Sequence, residues 1–121
     1  MYCNDLQTVQ LPSSVTTISP GAFSVLTNGV SSLTYINLNN VTSIDNSAFT
    51  NCKLLNIDAS DLSNLVSIGG ETFSSCFSIH GELNMPNLIS AGNKCFNSCS
   101  RITKVKCLGK ITTIPEFFMV K

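Results

Sequence analysis

One phrase returns five times along this chain, and it decides what the chain can fold into. In residues 41–52 two aliphatic residues, Val41 and Ile44, are followed by Ala48, Phe49 and Cys52. Residues 65–76 repeat it with Leu65, Ile68, Thr72, Phe73 and Cys76, and residues 88–99 with Leu88, Ala91, Cys95, Phe96 and Cys99. An earlier copy has Val15, Ile18, Ala22, Phe23 and Leu26, and a degenerate last one has Ile111, Ile114 and Met119. The second aliphatic falls at 18, 44, 68, 91 and 114, in steps of 26, 24, 23 and 23 residues. A fixed period in the twenties is the mark of a solenoid, because one such unit cannot bury its apolar side alone and must stack on its neighbours. The phase predicts that Phe23, Phe49, Phe73 and Phe96 superpose as an internal spine.

A second signature precedes each copy, an apolar-x-x-apolar-x-apolar run. Its members are Leu6, Val9 and Leu11; Leu33, Ile36 and Leu38; Leu54, Ile57 and Ala59; His80, Leu83 and Met85; and Ile102, Val105 and Cys107. The closing alternation has period two, which is a strand with one buried face. Five such strands, one per coil, are expected to lie parallel in a narrow sheet along one side. Turn residues follow them, among them Pro12, Asn39, Asn40, Ser60, Asp61, Pro86 and Asn87. The Val-x-x-Ile element reads as a second extended piece. Ser19 and Asp45 look like caps of a single helical or 3₁₀ turn. No window sustains helical periodicity over three turns, so the fold class is a mostly β and irregular solenoid with coils near 6–32, 33–53, 54–79, 80–101 and 102–121. Residues 26–32 read as a loop insertion in the longest interval.

Charged residues make up only 12% of the 121 residues, about half of the roughly 25% usual for soluble domains, so Ser, Thr and Asn must cover the surface. The formal net charge is zero, and nothing global points to nucleic acid or an acidic membrane as partner. The zero conceals a separation: residues 1–93 hold six acids and one base, residues 94–121 six bases and one acid. Stacking in sequence order spreads this along the long axis, where copies or partners of opposite charge can attract at low salt. The first residues lack the basic and apolar regions of a signal peptide, and no apolar run approaches the roughly 18 residues of a membrane span. Nothing like a polar cap precedes Leu6 or closes the chain after Phe117 and Phe118. The expectation is a segment of a longer array, or self-association through uncapped ends.

The combined consensus, Leu-x-x-Ile-x-Leu, then Val-x-x-Ile, then Ala-Phe-x-x-Cys, resembles the BspA-like leucine-rich repeats over about residues 6–119. It lacks the Asn that better-known leucine-rich repeats carry after the strand; Val15 or Val41 arrives instead, as is typical of the BspA-like class. The resemblance implies a cell-surface or secreted solenoid used in adhesion, with a protein ligand such as a host or matrix protein. It implies no catalysis and no cofactor.

Five of the six cysteines fall on pattern positions and read as small buried hydrophobes. A disulfide between stacked Cys52 and Cys76, or Cys76 and Cys99, is compatible with the roughly 5 Å spacing of coils, although three members cannot pair evenly. No Cys-x-x-Cys pair occurs, so a zinc site is not expected. His80 is the single histidine, aligned with the residue that opens a strand, and no nucleophile–base pair can be assembled around it. Gly69 and Gly70 form a turn rather than a phosphate loop. Asn40-Val-Thr42 matches a glycosylation acceptor, a triplet common by chance.

The candidate binding site is the outward strip of the strand ladder, since residues between the core positions point away from the interior. One column is Thr8, Tyr35, Asn56, Glu82 and Lys104, the next Gln10, Asn37, Asp58, Asn84 and Lys106. From these, Tyr35, Asn37, Asn56, Asp58, Glu82, Asn84, Lys104 and Lys106 are the expected contacts on a concave face, with Glu82 and Lys104 placed for a cross-strand ion pair. The competing readings are an exposed face that is polar only because it is exposed, and a structural spacer that binds nothing specific.

Overall fold

The computed structural model describes residues 7–25, 32–57 and 59–107. The chain winds into stacked parallel turns. Short strands run in chain order: β1 Thr8–Val9, β2 Thr17–Ile18, β3 Tyr35–Ile36, β4 Ser43–Ile44, β5 Ser67–Ile68, β6 Gly81–Asn84, β7 Ser90–Ala91 and β8 Ile102–Lys106. A 3₁₀ helix, η1, spans Ala59–Leu62.

The longest ladder belongs to the Val-x-x-Ile element. β2, β4, β5 and β7 form one parallel four-stranded sheet, with Ile18, Ile44, Ile68 and Ala91 in register. The expected five-strand ladder on the other side is interrupted. β1 pairs with β3, and β6 with β8, as two separate two-stranded sheets. The third coil keeps one rung there, Asn56 N–H donating to Thr34 O at 3.1 Å, and then departs into η1.

The cause is a difference in length. Equivalent turns are closed by Val15 N–H to Pro12 O, Val41 to Leu38, Leu65 to Leu62 and Leu88 to Met85, at 2.9–3.2 Å. Leu62, not Ala59, is therefore the counterpart of Leu38 and Met85. The third coil places four residues between Ile57 and Leu62, where its neighbours place one, and the surplus is wound into η1.

The opening apolar position is also shifted. Leu55, Ile79 and Ile102 each donate N–H to the carbonyl of the cysteine three residues earlier and are buried, whereas Leu54 and His80 are exposed. His80 does not stand in for a core leucine; its Nδ1 lies 3.0 Å from Ser78 O at the surface.

The phenylalanine spine is present. Rings 23 and 49, 49 and 73, and 73 and 96 stack with centroids 5.3, 5.3 and 5.6 Å apart and planes within 8° of parallel. Phe49, Phe73 and Phe96 are fully buried, and so are Ile44, Leu65, Ile68 and Leu83 around them. Offset or parallel ring pairs add about 0.5–1.5 kcal/mol beyond the area they bury.

The segment carrying the spine contains no helix. Ala22, Ala48 and their neighbours close turns on Ser19 and Asp45 carbonyls, but the chain then alternates into left-handed residues instead of continuing. Gly21, Ser47, Asn51, Glu71, Ser75, Lys94 and Ser98 all have φ between 57° and 65°. The alternation aims every second N–H at the next coil. Residues 21, 23 and 25 donate to carbonyls 46, 48 and 50; residues 47, 49 and 51 to 70, 72 and 74; residues 71, 73 and 75 to 93, 95 and 97, all at 2.7–3.0 Å. These bonds offset a left-handed cost of about 1–2 kcal/mol per non-glycine residue. The helical turn expected after Ser19 and Asp45 is replaced because this geometry joins coils, which a helix would not.

Two glycines are set by close approach. A Cβ on Gly69 would overlap the backbone of Asp45 and Asn46, and one on Gly92 the backbone of Gly69 and Gly70. The insertion at residues 26–31, the last copy of the phrase, Cys3 and both chain ends lie outside the described residues.

Candidate functional site

The five described pattern cysteines are free thiols, so the stacked column forms no disulfide. They act as donors as well as filler. Cys52 Sγ–H donates to Phe23 O at 3.1 Å, Cys76 to Phe49 O at 3.1 Å and Cys99 to Phe73 O at 2.9 Å, always one coil back. Cys95 reaches Gly92 O at 2.8 Å, as Thr72 Oγ1 reaches Gly69 O at 2.6 Å at the same place one coil earlier. Burial pushes the Cys95 thiol up to about 12 and the Cys99 thiol to about 11. Cys76 is raised well above its ordinary value by burial and by Cys52 and Cys99 on either side. Such thiols stay protonated at neutral pH and are not activated nucleophiles. Among the described residues no group of three or more His, Cys, Asp or Glu could hold a metal ion.

The first-strand face is where polar side chains gather. Thr8 pairs with Tyr35, Glu82 with Lys104, and Asn84 with Lys106. Tyr35 is 39% exposed, and Asn56, Glu82, Lys104 and Lys106 are exposed, while Asn84 is half-buried. Asp58 lies outside the described residues. The ion pair forms diagonally: Lys106 Nζ sits 2.7 Å from Glu82 Oε1, in place of the expected bond from Lys104. The register shifts at the step from Gly81 to Glu82, where Thr103 is the extra residue on β8. The hydrogen bond from Lys106 holds the Glu82 carboxyl below its ordinary value, with Lys104 adding a smaller electrostatic pull.

Asn37 has a different task. Its Oδ1 accepts from Leu11 N–H at 2.6 Å and its Nδ2 donates to Leu11 O at 3.0 Å, closing a two-bond clamp on the preceding coil. Other amides bridge coils in the same manner: Asn51 to Val25 O, Asn64 to Asn39 O and Asn87 to Ser63 O. In a chain with so few charges, side-chain amides fasten one coil to the next.

η1 divides this face into two open grooves. One, of about 490 Å³, runs from Gln10 and Ser13 past Tyr35 and Asn37 to Asn39 and Asn40, with Ser60 and Asp61 as its far wall. The other, of about 350 Å³, lies between Ser60 and Ser63 on one side and Asn84, Pro86 and Lys106 on the other. Asn39, Asn40, Ser60 and Asp61 were legible in the sequence only as turn residues. The signal that marks them is the surplus between Ile57 and Leu62, which pushes η1 out of line with the strands.

No helix among the described residues is long and apolar enough to cross a membrane. No curated protein and no solved structure matches the chain. The model of the BspA-type leucine-rich repeat region matches residues 1–119 in six copies, one more than the five copies of the repeated phrase. Repeats of this type generally form protein-interaction modules rather than enzymes, and they are typically surface-associated. With stacked phenylalanines, a parallel ladder and a family match spanning nearly every residue, the chain belongs to the BspA-type leucine-rich repeat family.

Proposed function

We propose that this solenoid is a protein-binding, adhesive module of a cell-surface or secreted protein, and that it contacts its partner through the first-strand face. The carrying observation is that this face presents side chains with no part in joining coils, Tyr35, Asn56 and Lys104, beside the two grooves. Elsewhere Thr42, Asn51, Asn64, Ser78 and Asn87 engage their side chains in bonds to a neighbouring coil. Solenoids use such continuous faces because stacking extends one surface without a new fold. Asp58 and Asn84 belong to the same proposed strip, and the Glu82–Lys106 pair sets its charge at one end. The partner is a host, epithelial or matrix protein; nucleic acid, lipid insertion and a cofactor have no part in the reading.

The test is a surface-binding screen of the chain against extracellular-matrix and epithelial surface proteins, repeated with Tyr35→Ala combined with Lys106→Ala. At least one protein is expected to bind, with affinity lowered tenfold or more in the variant. Binding to none of them, or binding that the double variant leaves unchanged, would return the chain to a spacer.

A further inference from the structure

The groove between β1, β3 and η1 differs in chemistry from the rest of the face. Its walls carry amides and hydroxyls: Gln10, Asn39, Asn40 and the clamped Asn37, with Tyr35 along one side and Asp61 opposite. Among the described residues it contains no base. Its volume of about 490 Å³ is within the range of roughly 300–1,000 Å³ typical of small-ligand sites.

Each ligand class asks for something different. A phosphate, sulfate or carboxylate needs a cation, and the groove offers instead the carboxylate of Asp61. An apolar ligand needs an apolar lining, and among the described residues Leu11 is the single aliphatic wall residue. A peptide adding as a strand needs an open edge, but the outer edge of β3 already accepts Asn56 N–H at Thr34 O, and Ser60 and Asp61 of η1 stand across the groove beyond it. A neutral sugar matches what is there. Vicinal hydroxyls both donate and accept; planar amides answer them in both senses, and a carboxylate accepts from them. The C–H face of a pyranose packs on an exposed aromatic ring with a polar tip, which Tyr35 supplies. The Asn37 clamp on Leu11 fixes the floor before any ligand arrives, so little order is lost on binding.

We infer that the Tyr35–Asp61 groove is a subsite for a neutral carbohydrate, a short run of uncharged sugar units of the kind displayed on glycoproteins. The inference names a ligand class for part of the proposed binding face and rests on that reading for the choice of face.

The experiment is an immobilised-oligosaccharide array holding neutral hexose and N-acetylhexosamine oligomers beside sulfated and sialylated ones, followed by calorimetry with the best neutral binder. Neutral members are expected to be retained, with affinity reduced at least tenfold by Tyr35→Ala and within threefold of the original for Tyr35→Phe. Arg101→Ala, exposed and outside both grooves and the proposed strip, is expected to leave binding unchanged and serves as the folding control. Retention of no sugar, retention of only sulfated or sialylated ones, or indifference to Tyr35→Ala overturns the inference. Repeating the protein screen with enzymatically deglycosylated partners separates the two readings. Tyr35-dependent binding that survives deglycosylation keeps the protein-binding face and sinks the sugar site. Sugar binding without any protein partner does the reverse.

Discussion

Cys76 Sγ lies 3.1 Å from the carbonyl oxygen of Phe49, one coil back, and this contact joins the two most regular columns of the molecule. The same carbonyl accepts Cys52 N–H at 3.1 Å, so the thiol fills its second lone pair. Replacing Cys76 by Ala removes that donor and leaves a small void. A loss of about 1–2 kcal/mol is expected. Cys76→Ser keeps a donor at the site and is expected to lose less. Urea midpoints of the two variants check the order, and equal loss in both would rule out the bond as a contributor.

The raised thiol values fix a direction for alkaline instability. A group whose folded value lies above its unfolded one stabilises the fold below the unfolded value and ceases to do so as pH rises through the folded one. For Cys99 the window runs from its ordinary value of 9.0 to about 11. Within it the unfolded chain loses protons that the folded chain keeps, so stability falls by about 1.4 kcal/mol per pH unit for each such thiol. Denaturant midpoints are expected to be insensitive to the thiols below pH 8 and to drop above 9. Site-resolved alkylation at pH 8 is expected to label Cys52, Cys76, Cys95 and Cys99 at least a hundredfold more slowly than in urea.

Gly92→Ala places a methyl group against the backbone of Gly69 and Gly70, where no flexible side chain can yield. A cost of about 1–3 kcal/mol is expected, as for overpacking elsewhere. Gly81 has open space around the same addition and is limited only by its φ of 80°, so Gly81→Ala is expected to cost less. Thermal midpoints of the two variants order the effects.

Asn37→Ala removes both bonds of the clamp and leaves the Leu11 N–H and C=O without their side-chain partner. About 1–3 kcal/mol is expected to be lost. Amide exchange at Leu11 is expected to accelerate while that at Phe73 stays protected, since coils couple to their neighbours. Uniform acceleration along the chain would mean that the coils unfold as one unit.

Glu82 is expected to titrate below its ordinary value of 4.5 in the folded chain and to move back toward it in Lys106→Met, by carboxyl chemical shifts. The folded value is depressed, so the pair stabilises the fold above the ordinary carboxyl value and stops doing so as pH falls through the depressed one. Both ends are exposed, and the effect is expected to vanish in high salt.

The parts of this fold that were legible in the sequence are those tied to the spine. Phe23, Phe49, Phe73 and Phe96 recur at one phase because a buried ring has room only above another ring, and that constraint writes itself into the period. The first-strand side was harder to read. Leu54 and Leu55 offer two candidates for one buried position, and the choice between them depends on a turn closed by backbone groups. The surplus before Leu62 reads in the sequence as continuing alternation because Ala59 is also apolar. Left-handed Glu71 and Lys94 carry no compositional cue, since glycine or asparagine would be the usual residue there. Asn37 shares a column with Asn84 in the pattern, yet its clamp depends on how closely β1 lies beside β3. The donor role of the cysteines is likewise a property of stacked carbonyls, not of any one coil.

The forward-pointing amides of the spine segment give the stack a polar axis. Peptide units 46–47, 48–49 and 50–51 all turn their oxygens toward the preceding coil and their hydrogens toward the following one, and the units beside Phe73 repeat this. Their dipoles add from coil to coil as in a helix, instead of alternating as in a sheet. One end of such a column offers acceptors and the other donors. Through this segment the stack can lengthen only tail to head, and two like ends brought together would find no partners for their backbone.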